Sequence, residues 1–263
     1  MADILKRIID AKRIELAGEK LQLPPRRAIE LASGAPAPHS FLEALQRPDG
    51  FRVIAEIKRA SPSRGTIQGN ADPASVAKAY AAAGAAAISV LTDQRFFLGS
   101  PGHLEAVHDA VTLPVLRKDF LFEEYQIYRS RALGADALLL IARILEPKLL
   151  TTLIGVTRSL HMEALVEVHG EEDLARALDC GATLVGINNR DLGTMTVSLD
   201  TSLRLLPLIP AGVTRVSESG IETRADLERL RSAGADAFLI GERLMREPDP
   251  GAALKALLEG PAA

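Results

Sequence analysis

Glu56 and Lys58 stand two residues apart at the end of an apolar run, Val53–Lys58, so both side chains can face one side of an extended strand. The same placement recurs along the chain. Lys118 and Asp119 close the run that starts at Val115. Glu167 interrupts Leu165-Val-Glu-Val-His169, and Asn188 ends Leu184–Asn188 with Arg190 just beyond. Glu218 and Ser219 follow the run that ends at Ser217. Charges in or at the end of an apolar strand are costly unless paired. For Glu167 alone, an ion pair with Lys118 or Arg190 would be explanation enough, since structural networks also perturb pKa values. Three carboxylates and two lysines gathered at one mouth would be something more. Buried carboxylates and lysines can exchange protons near neutral pH, which is what acid–base catalysis needs.

Those residues need a scaffold that brings strand ends together. From Phe51 onward, short apolar runs alternate with amphipathic stretches. The expected strands are Val53–Lys58, Ala87–Leu91, Val115–Asp119, Ala137–Ile141, Ala164–Val168, Leu184–Asn188, Val213–Ser217 and Ala237–Ile240. Their spacing, roughly 20 to 35 residues, is that of one βα unit. A weak repeat supports the count: Gly84-Ala-Ala-Ala-Ile-Ser-Val, Gly134-Ala-Asp-Ala-Leu-Leu-Leu, Gly181-Ala-Thr-Leu-Val-Gly-Ile and Gly234-Ala-Asp-Ala-Phe-Leu-Ile each place a helix-ending glycine before a buried strand. Asp72-Pro73, Ser100-Pro101 and Thr223-Arg-Ala-Asp226 mark helix starts. Strict alternation with buried strands means a parallel sheet. Eight units without Gly-x-Gly-x-x-Gly favour a closed α/β TIM barrel, (β/α)8, over an eight-strand open sheet.

Residues 1–50 are expected to form an N-terminal helical extension, and 51–263 the barrel, as one domain overall. Ile4, Leu5, Ile8 and Ile9 share a helical face, Leu21-Gln-Leu-Pro-Pro ends that segment, and Ser40-Phe-Leu-Glu43 has the spacing of a capping box opening a short helix to Leu45. The chain ends soon after the last helix, which leaves no expected room for a fused second barrel.

In such a barrel, polar strand ends meet at the C-terminal face, where the loops after strands 7 and 8 form a recurrent phosphate cradle. Here those loops read Ser217-Glu-Ser-Gly-Ile-Glu-Thr and Ile240-Gly-Glu-Arg-Leu-Met. Gly220 and Gly241 would let backbone N–H groups approach an anion. Ser61-Pro-Ser-Arg-Gly65 reads as a flexible polar loop, a lid or a second phosphate contact. His103, His108 and His161 fall in helical stretches and read as surface residues; His169 ends strand 5 and could line the mouth. No grouping has metal-ligand spacing, so no metal is expected.

Bulk properties narrow the classes. Lys and Arg total 31 against 34 Asp and Glu, a formal net charge of -3, so no basic face for nucleic acid is expected. A single cysteine, Cys180, rules out a disulfide within the chain and reads as a small buried hydrophobe. The N-terminus lacks the apolar stretch of a signal peptide. The longest uncharged run, Ala79 to Thr92, falls short of the roughly 18 residues a membrane helix needs. A soluble, cytoplasmic protein is expected, with no membrane association.

Ile54-Ala-Glu-Ile-Lys-Arg-Ala-Ser-Pro-Ser resembles the strand-1 signature of the indole-3-glycerol-phosphate synthase family, and Pro114-Val-Leu-Arg-Lys-Asp-Phe120 its strand-3 segment. Leu165-Val-Glu-Val, Gly186-Ile-Asn-Asn-Arg-Asp-Leu and Ser217-Glu-Ser-Gly-Ile follow in the family's order, so the resemblance covers nearly the whole chain. Related phosphate-binding barrels share the last two loops but not Glu-x-Lys with Ser-Pro-Ser. The resemblance implies a carboxy-lyase of tryptophan biosynthesis. It would close the ring of 1-(2-carboxyphenylamino)-1-deoxyribulose 5-phosphate with loss of carbon dioxide and water, giving indole-3-glycerol phosphate. It would use no cofactor and require no protein partner. It further implies Lys118 as general acid in ring closure and Glu167 as general base. Lys58 would bind the carboxylate or phosphate and act as an acid in dehydration, and Glu56 and Glu218 would orient the lysines and substrate hydroxyls. Asn188 would contact substrate, with Arg190 supporting from just outside. Ser61, Ser219, Gly220, Gly241 and the Glu242 backbone would hold phosphate, and Phe97 and Phe120 would pack on the anthranilate ring. Glu242 stands where the family often has a small residue. The rival readings are a sugar-phosphate isomerase barrel of tryptophan or histidine biosynthesis, which would use a Cys or Asp acid–base pair at its strand ends, and a non-catalytic barrel scaffold. An engineered member of the family would keep every one of these motifs.

Overall fold

The computed structural model describes residues 2–46, 50–191 and 193–260; Met1, at the start of the expected extension, and Leu192, the last residue of the Gly186 motif, lie outside the described residues. Eight aliphatic runs form parallel strands: β1 (Val53–Ile57), β2 (Ala87–Leu91), β3 (Val115–Lys118), β4 (Ala137–Ile141), β5 (Glu163–Val168), β6 (Leu184–Asn188), β7 (Thr214–Glu218) and β8 (Ala237–Ile240). Each pairs with the next in sequence, and β8 pairs with β1, so the sheet closes into a barrel. Closure buries both faces of every strand, which is why the runs are largely apolar. Lys58 and Asp119, expected to end strands 1 and 3, lie one residue beyond them, and strand 7 starts at Thr214 rather than Val213.

Between the strands run α4 (Pro73–Ala82), α5 (Pro101–Ala110), α6 (Glu124–Ala132), α7 (Pro147–Ser159), α8 (Glu171–Asp179), α9 (Asp200–Leu205) and α10 (Arg224–Ser232), with α11 (Pro250–Glu259) after β8, and with α1 (Ala2–Gln22), α2 (Pro25–Gly34) and α3 (Phe41–Gln46) of the extension before β1. Asp72 caps α4 by accepting from Ser75 N–H at 3.0 Å, Ser100 caps α5 through Gly102 N–H at 3.1 Å, and Thr223 and Asp226 form a reciprocal capping box on α10. The four repeated glycines, Gly84, Gly134, Gly181 and Gly234, have φ between 84° and 105°, a region costly for any residue with a Cβ. His161 is not helical: it sits past the end of α7 with φ 59°. His103 and His108 do lie on α5, but both are half-buried, and the His108 ring packs against Gly134.

The strand pleat makes two cores. Outward residues such as Val53, Ala55, Val90, Leu138, Val166, Val185 and Phe238 pack against the helices. Inward residues Ile54, Ala87, Leu116, Ala137, Leu165, Leu184, Val216 and Ala237 fill the lower barrel together with Phe41 and Leu45 of α3. That helix plugs the N-terminal end of the barrel. His39 N–H donates to Asp136 Oδ1 at 2.7 Å, and Gln46 Nε2 to Thr214 Oγ1 at 3.1 Å, both at strand starts. Among the described residues no helix is long and apolar enough to cross a membrane.

Candidate active site

The inward pleat that is apolar below turns polar one layer up. A cavity of about 690 Å³ opens at the C-terminal strand ends, and Glu56, Lys58, Ser61, Phe97, Lys118, Phe120, Glu167, Asn188, Arg190, Glu218, Ser219, Gly220, Gly241 and Glu242 all line it. Parallel register sets the neighbours: Ile141 lies beside Glu167, Glu167 beside Gly186, and Asn188 beside Glu218.

Lys118 is the hub. Its Nζ lies 3.4 Å from Glu167 Oε2 and 3.4 Å from Glu218 Oε2. Burial opposes its charge, but Glu218, Glu167 and Glu56 outweigh that, so the ammonium is held well above the usual lysine range. Burial drives Glu218 the other way, up to about 8, with Lys118 opposing and the Glu167 and Glu56 charges adding to the rise. The Lys118 ammonium is therefore held charged at rest, and the Glu218 carboxyl beside it takes up a proton at a higher pH than an ordinary carboxylate. The second lysine has its own partner: Lys58 Nζ sits 2.9 Å from Glu56 Oε1. Burial would raise the Glu56 carboxyl, but Lys58 and Lys118 overcome it and hold it below the usual range.

Two glycines make room for these acids. A Cβ on Gly186 would collide with Glu218 Oε1, and one on Gly241 would collide with Glu56 Oε1. Any larger residue would force the carboxylates out of place.

On one side of the lysines the Phe97 and Phe120 rings lie 6.1 Å apart at 38°. On the other, Ser219 (φ 66°) and Gly220 (φ 78°) turn sharply after β7, and Gly241 precedes a four-residue helix, Glu242–Met245. The Glu242 carboxylate is spanned by two guanidiniums, Arg190 NH2 at 3.1 Å and Arg64 Nε at 2.9 Å. The ends of Ser61-Pro-Ser-Arg-Gly65 are tied together, Ala60–Ser61 pairing with Gly65–Thr66 in a small antiparallel hairpin at the rim. His169 does not line the mouth. Its ring is buried behind the strand end, with Nε2 3.3 Å from Glu167 Oε1, and burial lowers its pKa.

The family model for indole-3-glycerol phosphate synthase matches residues 5–257. This chain belongs to the indole-3-glycerol phosphate synthase family. It is 48% identical over 261 residues to the indole-3-glycerol phosphate synthase of Carboxydothermus hydrogenoformans, spanning 97% of this chain and 99% of that protein. It is 49% identical over 257 residues to that of Mycolicibacterium vanbaalenii, spanning 98% and 94%. Among solved structures, KGPDC from Streptococcus mutans matches with a TM-score of 0.61 at 12% identity, over 80% of this chain and 97% of that one. Thiamine phosphate pyrophosphorylase from Pyrococcus furiosus matches at 0.61 and 14%, over 80% and 94%. At such identities the likeness speaks for the barrel alone.

In this member of the synthase family, sequence reasoning passed over several residues. Asn189 is buried beside Asn188 and faces the other way. Its Nδ2 donates to Ser217 Oγ at 3.1 Å and to Ser219 O at 3.0 Å, while its Oδ1 accepts from Ser202 N–H at 3.0 Å. It thus fixes the Ser219 turn from behind, and the polar pair at a strand end was the available signal. Ile4, Leu5 and Ile8 of α1 also line the cavity, so the extension overhangs the mouth. Their shared helical face was legible, but not what it would cover.

Proposed function

We propose that this chain is an indole-3-glycerol-phosphate synthase, closing the ring of 1-(2-carboxyphenylamino)-1-deoxyribulose 5-phosphate with loss of carbon dioxide and water and without a cofactor. Membership of the family supports the reaction. The observation that carries the chemical reading is the Lys118 ammonium set 3.4 Å from both Glu167 and Glu218 on the floor of a cavity with phenylalanines on one side and the two glycine turns on the other.

The steps follow from that arrangement. The ring carbon bearing the carboxylate attacks the ketone carbon, and the Lys118 ammonium gives a proton to the ketone oxygen as it becomes basic. Three carboxylates hold that ammonium charged until then. Loss of carbon dioxide restores the aromatic ring. Glu167 then accepts a proton as the indole double bond forms, and the hydroxyl leaves as water with a proton from Lys58. Glu56 and Glu218 orient the lysines and the substrate hydroxyls. Asn188 contacts the substrate, with Arg190 supporting it. Ser61, Ser219, Gly220, Gly241 and the Glu242 backbone hold the phosphate. The Glu242 side chain, paired with Arg190 and Arg64, is neutralised rather than left to repel the anion. Phe97 and Phe120 receive the anthranilate ring.

The test is a fluorescence assay for indole-3-glycerol phosphate with purified protein, substrate and no added cofactor. Turnover is expected, and it disappears in Lys118→Ala and in Glu167→Ala. Lys118→Ala blocks ring closure, whereas Lys58→Ala impairs a later step. A cyclised intermediate trapped in Lys118→Ala but not in Lys58→Ala would reverse those roles. No turnover by folded wild-type protein would sink the assignment.

A further inference from the structure

Lys12 is a lysine on a helix with every reason to be at the surface, yet its side chain is only 4% exposed. Its Nζ lies 2.9 Å from Asp93 Oδ2 and 3.1 Å from Asp119 Oδ1, carboxylates that are themselves 2% and 1% exposed. Each aspartate has a second task. Asp93 Oδ1 accepts from Phe96 N–H at 2.8 Å and so starts the turn Gln94–Phe97. Asp119 accepts from Phe120 N–H at 2.8 Å, and its other oxygen is held by Thr92 and Arg117. One ammonium therefore joins three separate pieces of the cavity wall: the α1 segment with Ile4, Leu5 and Ile8, the turn bearing Phe97, and the residue before Phe120.

The two halves of α1 are held differently. Its C-terminal half is fastened to α2, α6 and the loop before α6 by Leu16 packed with Ala28 and Tyr125, by Glu19 with Arg129 at 3.0 Å, and by Lys20 with Glu123. The half over the mouth is tied to the barrel by Lys12, with Ile8 buried beneath it.

We infer that Lys12 is a positioning residue that assembles the aromatic subsite, pinning the first turns of α1 against the Phe97 and Phe120 segments so that a planar ring is enclosed. The inference rests on the reading given under Proposed function, in that the ring is taken to be the anthranilate end of the substrate. Removing Lys12 leaves the buried Asp93 carboxylate without its cation beside an Asp119 still paired with Arg117, and such a charge is relieved by letting water in. The overhanging half of α1 is what can lift, since the other half has its own anchors. The phosphate end of the cavity, at Ser219–Gly220 and Gly241, is left as it was.

The experiment compares wild type with Lys12→Met, and with Asp93→Asn, whose amide oxygen can still cap the turn. Three readouts are taken: amide hydrogen exchange, binding of anthranilate followed by its fluorescence, and inhibition or binding by inorganic phosphate. In Lys12→Met, exchange in residues 4–12 is expected to rise at least about 10-fold, while residues 16–22 and the barrel strands stay protected. Anthranilate binding weakens at least about 10-fold and phosphate binding does not change. In turnover, KM rises by a similar factor with kcat much less affected. Asp93→Asn shifts the same readouts in the same direction by less, and Lys12→Arg restores part of the loss. Unchanged exchange in residues 4–12, or anthranilate and phosphate weakened alike, would overturn the inference. If Lys12→Met does not fold, Asp93→Asn decides by the same two binding measurements. Exchange and ligand binding do not depend on turnover, so a wild type that fails to make product would count against the proposed reaction without deciding this point.

Discussion

The two ends of the barrel interior are built from the same pleat and do opposite things. At the N-terminal end, inward positions are Ile54, Ala87, Leu116, Ala137, Leu184, Val216 and Ala237, closed off by Phe41 and Leu45. Two residues further along β1, β3 and β7, two beyond Leu165 on β5, and four further along β6, the same inward face carries Glu56, Lys118, Glu218, Glu167 and Asn188. The lower layer gains from every side chain taken out of water. The upper layer buries acids together, and burial, with the neighbouring Glu167 and Glu56 charges adding to it, pushes Glu218 up to about pKa 8. A scaffold can hold so costly a cluster because the layer beneath it is rigid and fully packed.

The sharpest way to break this comparison is to damage one end and read out both properties. Glu167→Gln is expected to lower turnover by about 10²–10⁴-fold with little change in the urea midpoint. Phe41→Ala should do the reverse, costing about 3–5 kcal/mol of stability while the folded fraction keeps its kcat/KM. Steady-state fluorescence and urea titration on the same preparations check both. A Phe41→Ala protein with normal stability and lost activity would refute the division.

Glu218 sharpens it further. Its pKa in the folded protein lies at about 8, above the ordinary carboxyl value of 4.5. Between those two values the folded state keeps a proton that the unfolded chain has released, so wild-type stability falls as pH rises through this window. The slope is at most about 1.4 kcal/mol per pH unit. Glu218→Gln lacks that slope. Its stability relative to wild type should climb from pH 5 to pH 8 by about 2–4 kcal/mol and level off above, as followed by urea unfolding at each pH. Parallel curves would show that Glu218 is ionised throughout.

The smallest effect belongs to a residue near the mouth with no part in its chemistry. Thr223 starts α10 just after the Ser219–Gly220 turn, accepting from Asp226 N–H at 3.2 Å. Thr223→Ala should cost about 1 kcal/mol by thermal or urea unfolding and leave kcat/KM near wild type. A large kinetic loss would mean that the cap, and not Asn189, sets the turn.

Much of this was legible because it is local. Aliphatic runs that begin after a left-handed glycine mark strands, so observed and expected ends differ by a residue at most, as at Lys58, Asp119 and Thr214. Charged residues in apolar runs pointed to the mouth because the pleat, once the period is known, dictates which of them face inward. What escaped is what two distant segments do to each other. Lys12 lies on a helix where a solvated lysine is the ordinary reading, and nothing within several residues announces Asp93 and Asp119. The reason for Gly186 is likewise distant, being the Glu218 carboxylate from the next strand. Arg64 and Arg190 meet at Glu242 only because three loops converge there.

The α3 plug makes the barrel a cup rather than a tube. Among the described residues Phe41 and Leu45 close the lower end, so traffic is single-file in the sense of a room with one door. Substrate enters, and carbon dioxide, water and indole product must leave, over the same rim, between the Ser61–Gly65 hairpin and the overhanging turns of α1. A synthase of this build cannot reload until it has emptied, and anything that crowds the rim slows arrival and departure together.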